Sequence, residues 1–176
     1  MSSIGTFEEA TMIVPDIRET ADLRRAYGAF PSGVTALCAL RDGVPVGIAA
    51  SSFVSVSMDP PLVSICVQRS STTWPLLADR DRLGVSVLGA DQASACRQLA
   101  GPAAGRFAGL VHHATPEGAV LLTGAAAWLD CSLHDVVDAG DHVLALLRVE
   151  ALQTHDGVAP IVFQASRFHR LVEDAA

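Results

Sequence analysis

Residues 47–73 read GIAASSFVSVSMDPPLVSICVQRSSTT, and this stretch decides the fold. Valine alternates with phenylalanine and serine over residues 53–57, which predicts a strand with one apolar face and one small, hydrogen-bonding face. The Pro60-Pro61 pair ends that strand, because proline lacks the N–H that a strand ladder needs. Residues 62–67 then form a second strand, so the stretch predicts two strands joined at a proline turn.

The same stretch predicts a binding wall. Small residues let a flat ligand lie close to the backbone, while hydroxyls and backbone N–H groups suit a phosphate. An N-cap cluster for a short helix over residues 73–78 explains the last of these hydroxyls equally well, and both interpretations use the same donors. The nine hydroxyl residues are Ser51, Ser52, Ser55, Ser57, Ser64, Ser70, Ser71, Thr72 and Thr73.

The rest of the chain alternates short apolar runs with turns. Asp42-Gly43 is typical of a tight hairpin, and Thr20 and Asp91 are predicted to cap the N-termini of two helices. Most strands follow one another through hairpins rather than helices. We therefore expect a mainly β fold, an antiparallel barrel with peripheral helices packed outside it. Further strands are predicted over residues 34–40, 44–52, 83–88, 120–123, 125–133, 142–153 and 161–168.

Composition bounds the organisation of the chain. Its 176 residues fit one domain, predicted to span residues 19–176 after an N-terminal arm over residues 1–18. Half of the residues are hydrophobic and 18% are charged, which favours a homo-oligomer. A net charge of −7 argues against nucleic acid. Without a membrane-length apolar run or a signal peptide pattern, the sequence predicts a cytoplasmic protein with no membrane partner.

Cysteine and histidine spacing argues against a metal site. Cys38, Cys66, Cys96 and Cys131 occur singly, which predicts buried free thiols. The neighbouring pair His112-His113 has no third ligand at a useful spacing, so a packing or solvated role is expected. If the chain is an enzyme, its reactivity comes from an organic cofactor.

Three short features remain as candidates for function. Gly140-Asp141-His142 stands at a turn before an apolar run, either as a turn histidine or as a side chain aimed at a ligand. Gly33, in a run that stops a helix, could bring backbone amides close to a ligand. Arg106-Phe107 is either a solvated loop pair or a clamp that closes over an anion and a ring.

Taken together, these pieces resemble the flavin reductase family, which are flavin-binding split β-barrels and small reductase components of two-component monooxygenases. The resemblance covers residues 23–171 and depends on the order and spacing of its motifs. These are Phe30-Pro31-Ser32-Gly33-Val34, residues 47–57 followed by Pro60-Pro61-Leu62, Ser71-x-Thr73, Phe107, Cys131, Gly140-Asp141-His142 and Pro160-Ile161.

The resemblance implies an antiparallel split β-barrel of the FMN-binding type that forms a homodimer. It also implies hydride transfer from NADH or NADPH to FMN or FAD, and a partner monooxygenase that receives the reduced flavin. His142 would face the nicotinamide. The flavin ring would lie against Ala50, Ser51, Ser52 and Phe53, and its phosphate against Ser70, Ser71 and Thr73. Arg106 and Phe107 would flank the site, Phe168 would close it, and no metal is implied.

Two rival hypotheses stay open from the sequence. The first is a flavin- or haem-binding protein on the same barrel that has no turnover. The second is an oxidase of the pyridoxamine phosphate type, which would gather basic residues around a substrate phosphate; Arg69, Arg80, Arg82 and Arg106 are available for that. The Gly140-Asp141-His142 motif favours the reductase.

Overall fold

The computed structural model describes residues 14–16 and 18–172, and this part of the chain contains three helices and twelve strands. The arm predicted for residues 1–18 lies almost entirely outside the described residues. The helices are α1 (Ala21–Gly28), α2 (Trp74–Ala78) and α3 (Ala93–Ala100). The strands are β1 (Ser32–Gly33), β2 (Thr35–Arg41), β3 (Val44–Ala50), β4 (Val54–Met58), β5 (Pro61–Gln68), β6 (Leu83–Val87), β7 (His112–Ala114), β8 (Val120–Leu122), β9 (Ala127–Ala139), β10 (His142–Thr154), β11 (Ile161–Gln164) and β12 (Arg167–Arg170).

An antiparallel sheet of seven strands forms the barrel, in the order β3-β2-β6-β9-β10-β5-β4. Its inner face buries a core that includes Leu37, Ile65 and Leu147. Strands β3 and β5 stand near opposite ends of this order, yet both pack side chains against the same core. The sheet therefore curls until its two ends face each other across a seam. The predicted antiparallel split β-barrel with peripheral helices is confirmed.

The β2–β3 hairpin brings the chain to the seam. Asp42 and Gly43 form its turn with φ angles of +51° and +76°, the left-handed pair that suits the twist of two-residue hairpins. Arg41 pairs with Val44, so no extra residue disturbs the register. The hairpin predicted from Asp42-Gly43 is confirmed, and it places the end of β3 beside β5.

The two strands of the opening stretch form as predicted, but β4 lies at the edge of the sheet. Val54 and Val56 are 56% and 50% exposed, and Met58 is 94% exposed. The apolar face of this strand therefore does not contribute to the barrel core of a single chain. Its alternation is that of an edge strand with apolar residues turned to the outside.

A second layer covers one side of the barrel. It contains α3, the sheet β1-β11-β12 and the hairpin β7-β8 around a second core that includes Leu99, Val120 and Ile161. The single strand predicted over residues 161–168 is wrong. Two strands form instead, because Ala165 and Ser166 adopt left-handed conformations, with φ of +47° and +62°, and turn the chain back.

The four cysteines are free, as predicted. Three of them are buried, also as predicted, whereas Cys66 is half-buried.

None of the helices in the described part of the chain has the length and hydrophobicity that a membrane crossing requires.

Candidate functional site

A groove of about 410 Å³ opens at the seam of the barrel. One wall is the end of β3 and the segment after it, and the other is the end of β5. The walls therefore come from the two halves of the stretch that sequence analysis singled out. The lining residues are Ile48, Ala49, Ala50, Ser51, Ser52, Cys66, Val67, Gln68, Ser71, Leu99, Ala100, Arg106 and His142.

Ser52 ties the two walls together. Its hydroxyl accepts a hydrogen bond from the backbone N–H of Cys66 at 2.9 Å and donates one to the carbonyl of the same residue at 3.1 Å. Thr35 likewise donates its hydroxyl to the Ala50 carbonyl at 3.1 Å. These hydroxyls maintain the shape of the wall, so the small side chains of Ala50 and Ser51 are what the wall presents to a ligand.

The hydroxyl residues after β5 contact both the start of α2 and the groove. Ser71 lines the groove and accepts a hydrogen bond from the Trp74 N–H at 3.1 Å, which caps the first turn of α2. Thr73 is buried, and its hydroxyl accepts a hydrogen bond from Arg106 at 2.8 Å. Ser70 is exposed and does not line the groove. The N-cap residue of α2 is Thr73, whose side chain makes no capping bond; Ser71, two residues earlier, provides one and still lines the groove.

Arg106 is anchored rather than solvated. Its Nε donates to the Gly101 carbonyl, and its Nη1 donates to the Gly47 carbonyl, each at 2.9 Å. Together with the bond to Thr73, these contacts join the loop after α3 to β3 and to α2. Its Nη2 has no hydrogen-bond partner among residues 14–16 and 18–172, and the Arg106 residue lines the groove.

His142 stands on the opposite wall, at the first position of β10. Gly140, with φ of +64°, makes the turn before it, and β10 pairs His142 with Gln68 on β5. The imidazole Nδ1 lies 2.7 Å from Oδ1 of Asp141. This hydrogen bond from His142, together with the imidazole's charge when it is protonated, lowers the pKa of the Asp141 carboxyl. Since an ionised carboxylate can only accept, Nδ1 is the donor, and Nε2 of neutral His142 is left as an acceptor.

The structure brings six of the twelve predicted site residues into the groove. These are Ala50, Ser51, Ser52, Ser71, Arg106 and His142. Thr73 contributes indirectly by holding Arg106. Phe53 packs against the barrel core, and Gly33 pairs with Val162 on β11.

The two predicted aromatic residues Phe107 and Phe168 pack in the second layer. Phe107 contacts the ring of His112 edge-on, with centroids 5.9 Å apart. Phe168 packs on Phe163 and lies beneath the guanidinium of Arg97, 4.9 Å from its ring centroid. Both side chains support the elements around the groove and do not line it in this single chain.

Sequence analysis did not single out Gln68, Cys66, Leu99 or Ala100, which also line the groove. The alternation along β5 provides a signal for the first two, because Cys66 and Gln68 share a face with residue 64 of the same strand. Leu99 and Ala100 end α3, and no local pattern marks that helix end as part of the wall. Across the described ranges, no group of three His, Cys, Asp or Glu side chains is placed to hold a metal ion.

Comparison with known proteins gives a consistent result. A family model for the flavin reductase like domain matches residues 27–172. A flavin reductase of Pseudomonas putida is 38% identical over 141 residues, which is 80% of this chain and 83% of that protein. The reductase subunit of a flavin-dependent monooxygenase from Rhodococcus jostii is 36% identical over 86% of this chain and 77% of its own length.

Among solved structures, the NADH:FAD oxidoreductase of Streptomyces globisporus, in complex with NAD and FAD fragments, superimposes with a TM-score of 0.87. It is 34% identical, and the match covers 94% of this chain and all of that one (100%).

Proposed function

The chain belongs to the flavin reductase family, and from that premise we propose that it reduces FMN or FAD with NADH or NADPH at the groove and supplies the reduced flavin to a partner monooxygenase. The observation that carries the proposal is the groove itself. It combines a wall of small residues, an arginine with an uncommitted amino group, and a histidine on the facing strand.

The residues present fit a flavin. The volume of the groove, about 410 Å³, falls within the range of about 300–1,000 Å³ that small-molecule sites occupy. Ala49, Ala50 and Ser51 leave a flat ring room to lie against the backbone. Nη2 of Arg106 and the Ser71 hydroxyl are the groups that would hold its phosphate. Gly33, Phe53, Phe107 and Phe168 would act through the walls that they support.

When bound, a flavin supplies the hydride-accepting centre of the reaction. The chain itself has to hold two rings in contact and exclude water, because hydride transfer depends on that geometry more than on proton transfer. The Ser52 bridge fixes one wall, and His142 offers an imidazole from the other. We assign His142 to the nicotinamide side, where it orients the hydride donor.

Steady-state assays that cross both flavins with both nucleotides test this function directly. The similarity to the Streptomyces globisporus NADH:FAD oxidoreductase supports FAD with NADH as the first pair to test. The expected result is catalytic loss of the nicotinamide absorbance that depends on added flavin. Flavin binding without any nucleotide consumption would overturn the proposal and identify a binding protein instead. The His142→Ala variant is expected to affect the nucleotide more than the flavin.

The proposal extends to a homodimer that acts in the cytoplasm, where both nucleotides and a monooxygenase partner are available. Support for the dimer comes from β4, an edge strand whose Val54, Val56 and Met58 are at least half exposed. The similarity to the Rhodococcus jostii reductase subunit supports a separate oxygenase as the acceptor of reduced flavin.

A further inference from the structure

The turn that carries His142 is held by one residue from a neighbouring strand. Arg69 follows the last residue of β5 and makes three contacts with the end of β9 and the β9–β10 turn. Its backbone N–H donates to the Asp141 carbonyl at 3.0 Å, and its Nε donates to the Gly140 carbonyl at 3.0 Å. Its Nη2 forms an ion pair with Asp138 at 2.5 Å. Arg69 thus binds residues before and after Gly140 as well as Gly140 itself.

The β9–β10 ladder holds the backbone on either side of the turn and pairs Ala139 with His142, but the side chains of the turn have little to pack against. Asp138 and Asp141 are 81% and 90% exposed in their side chains, and Gly140 has no side chain to pack. The backbone pairing of His142 with Gln68 fixes the strand but not the direction of the imidazole. That direction depends on the hydrogen bond to Asp141, and the Arg69 side chain holds Gly140 and Asp138, which precede Asp141 in the chain.

Arg69 also lies between two residues that line the groove on the β5 side. Gln68 before it lines the groove, and Ser71 two residues after it lines the groove as well. We propose that Arg69 is a positioning residue for His142: it locks the β9–β10 turn to the end of β5 and so fixes the imidazole at the groove. The kinetic consequence rests on the proposed function, whereas the effect on the imidazole does not.

Charged residues from three segments surround the His142 turn and the groove. Asp141 accepts from Nδ1, Asp138 on β9 is neutralised by Arg69, and Arg106 approaches the groove from the loop after α3. With Arg69 in place, Nδ1 of neutral His142 carries the proton. Without it, the turn loosens, and the imidazole reverts towards the Nε2-protonated tautomer that free histidine favours.

The decisive experiment measures this tautomer in the flavin-free protein by NMR of ¹⁵N-labelled histidine, with the His142 signal assigned by its loss in His142→Gln. Arg69→Ala is expected to shift the Nδ1 and Nε2 signals of His142 towards the free-histidine pattern. Arg80→Ala is the matched control, because Arg80 pairs with its own neighbour Asp79. An unchanged His142 signal in Arg69→Ala would overturn the proposal.

Steady-state kinetics and flavin binding provide a second test of the proposal. Arg69→Ala is expected to raise the KM for the nicotinamide nucleotide about fivefold, to leave the flavin Kd within about twofold, and to add little to His142→Ala in the double variant. Arg69→Lys should fall in between, since one ammonium cannot replace a fork that reaches two acceptors. A changed tautomer with an unchanged KM would leave the positioning intact and reject the nicotinamide role of His142.

Discussion

At the scale of single residues, the hydroxyls at the seam serve the protein more than the ligand. The Ser52 hydroxyl is hydrogen-bonded to the Cys66 backbone, that of Thr73 to Arg106, and that of Thr35 to the Ala50 carbonyl. Sequence alone gives only the density of hydroxyls, and it cannot separate those that brace a wall from those that face a ligand. That distinction depends on which backbone groups the curled sheet leaves without a strand partner.

The four thiols differ in reactivity in a way that a labelling experiment can check. Burial raises the pKa of Cys38 and of Cys131 to about 12, and burial also raises the pKa of Cys96. With a pKa near 12, only about one thiol in ten thousand is ionised at pH 8, and the thiolate is the form that reacts. Cys66, in contrast, lines the groove.

We therefore expect iodoacetamide at pH 8 to alkylate Cys66 first in the native protein, and all four cysteines only after unfolding. Mass spectrometry of tryptic peptides measures the order. Bound flavin should slow the reaction at Cys66, while Cys66→Ser should remove the fast phase. Rapid labelling of Cys38 or Cys131 in the folded protein would contradict this assignment.

At the scale of elements, strands flanked by clear turn-forming or strand-breaking residues were predictable, and turns without such residues were not. β2, β3 and β5 form within two residues of their predicted bounds, because Asp-Gly and proline signals delimit them, and β6 does so by its alternation of valine with small residues. The turn between β11 and β12 was missed, since alanine and serine give no sign of a left-handed conformation. β9 extends to Ala139, beyond the predicted end at residue 133, because its last residues are exposed on both faces and show no alternation.

The helices show a similar limit. The prediction that Asp91 caps α3 is wrong: the helix begins at Ala93, and Asp91 instead forms an ion pair with Arg170. The Gln92 side chain accepts a hydrogen bond from the Gly89 N–H at 2.8 Å and shapes the approach to the helix. Of the candidate site, the residues on β3 and β10 were predictable, while the helix end at Ala100 required the tertiary fold.

Gly84 offers a test of how closely the barrel and the second layer are packed. It lies on β6, and a Cβ at this position would stand 2.1 Å from the Val120 carbonyl oxygen on β8. Since backbone cannot rotate away, we expect Gly84→Ala to lower the free energy of unfolding by about 2–3 kcal/mol.

Urea unfolding curves provide the measurement for this variant. The control is Gly33→Ala, where an added Cβ would meet nothing within 4 Å, so the unfolding midpoint should stay near that of the wild type. Equal midpoints for Gly84→Ala and the wild type would mean that β6 and β8 can separate at little cost.

At the scale of the whole molecule, the seven-stranded sheet has two edges that are treated differently. The β3 edge contacts α3, and Arg106 binds its Gly47 carbonyl. The β4 edge carries exposed valines and a methionine instead. An edge of this kind is a template for pairing with a second chain, which is the basis of the proposed homodimer.

We expect Val56→Asp to convert the dimer to a monomer, because a buried carboxylate at an interface lacks compensation. Sedimentation velocity measures the change. Val44→Asp is the matched control: Val44 is 61% exposed, on the other edge strand, and its replacement should leave the sedimentation coefficient unchanged. A wild-type protein that sediments as a monomer would refute the proposed dimer.

The double hydrogen bond between the Ser52 hydroxyl and the Cys66 backbone has a consequence for turnover. Any widening of the seam at this point strains both bonds, so the Ser52–Cys66 link resists separation of the two walls. A flavin would then enter and leave through the solvent-facing mouth of the groove while this link stays intact. Entry and exit of the cofactor are in this way independent of the integrity of the barrel, which suits the proposed supply of reduced flavin to a partner.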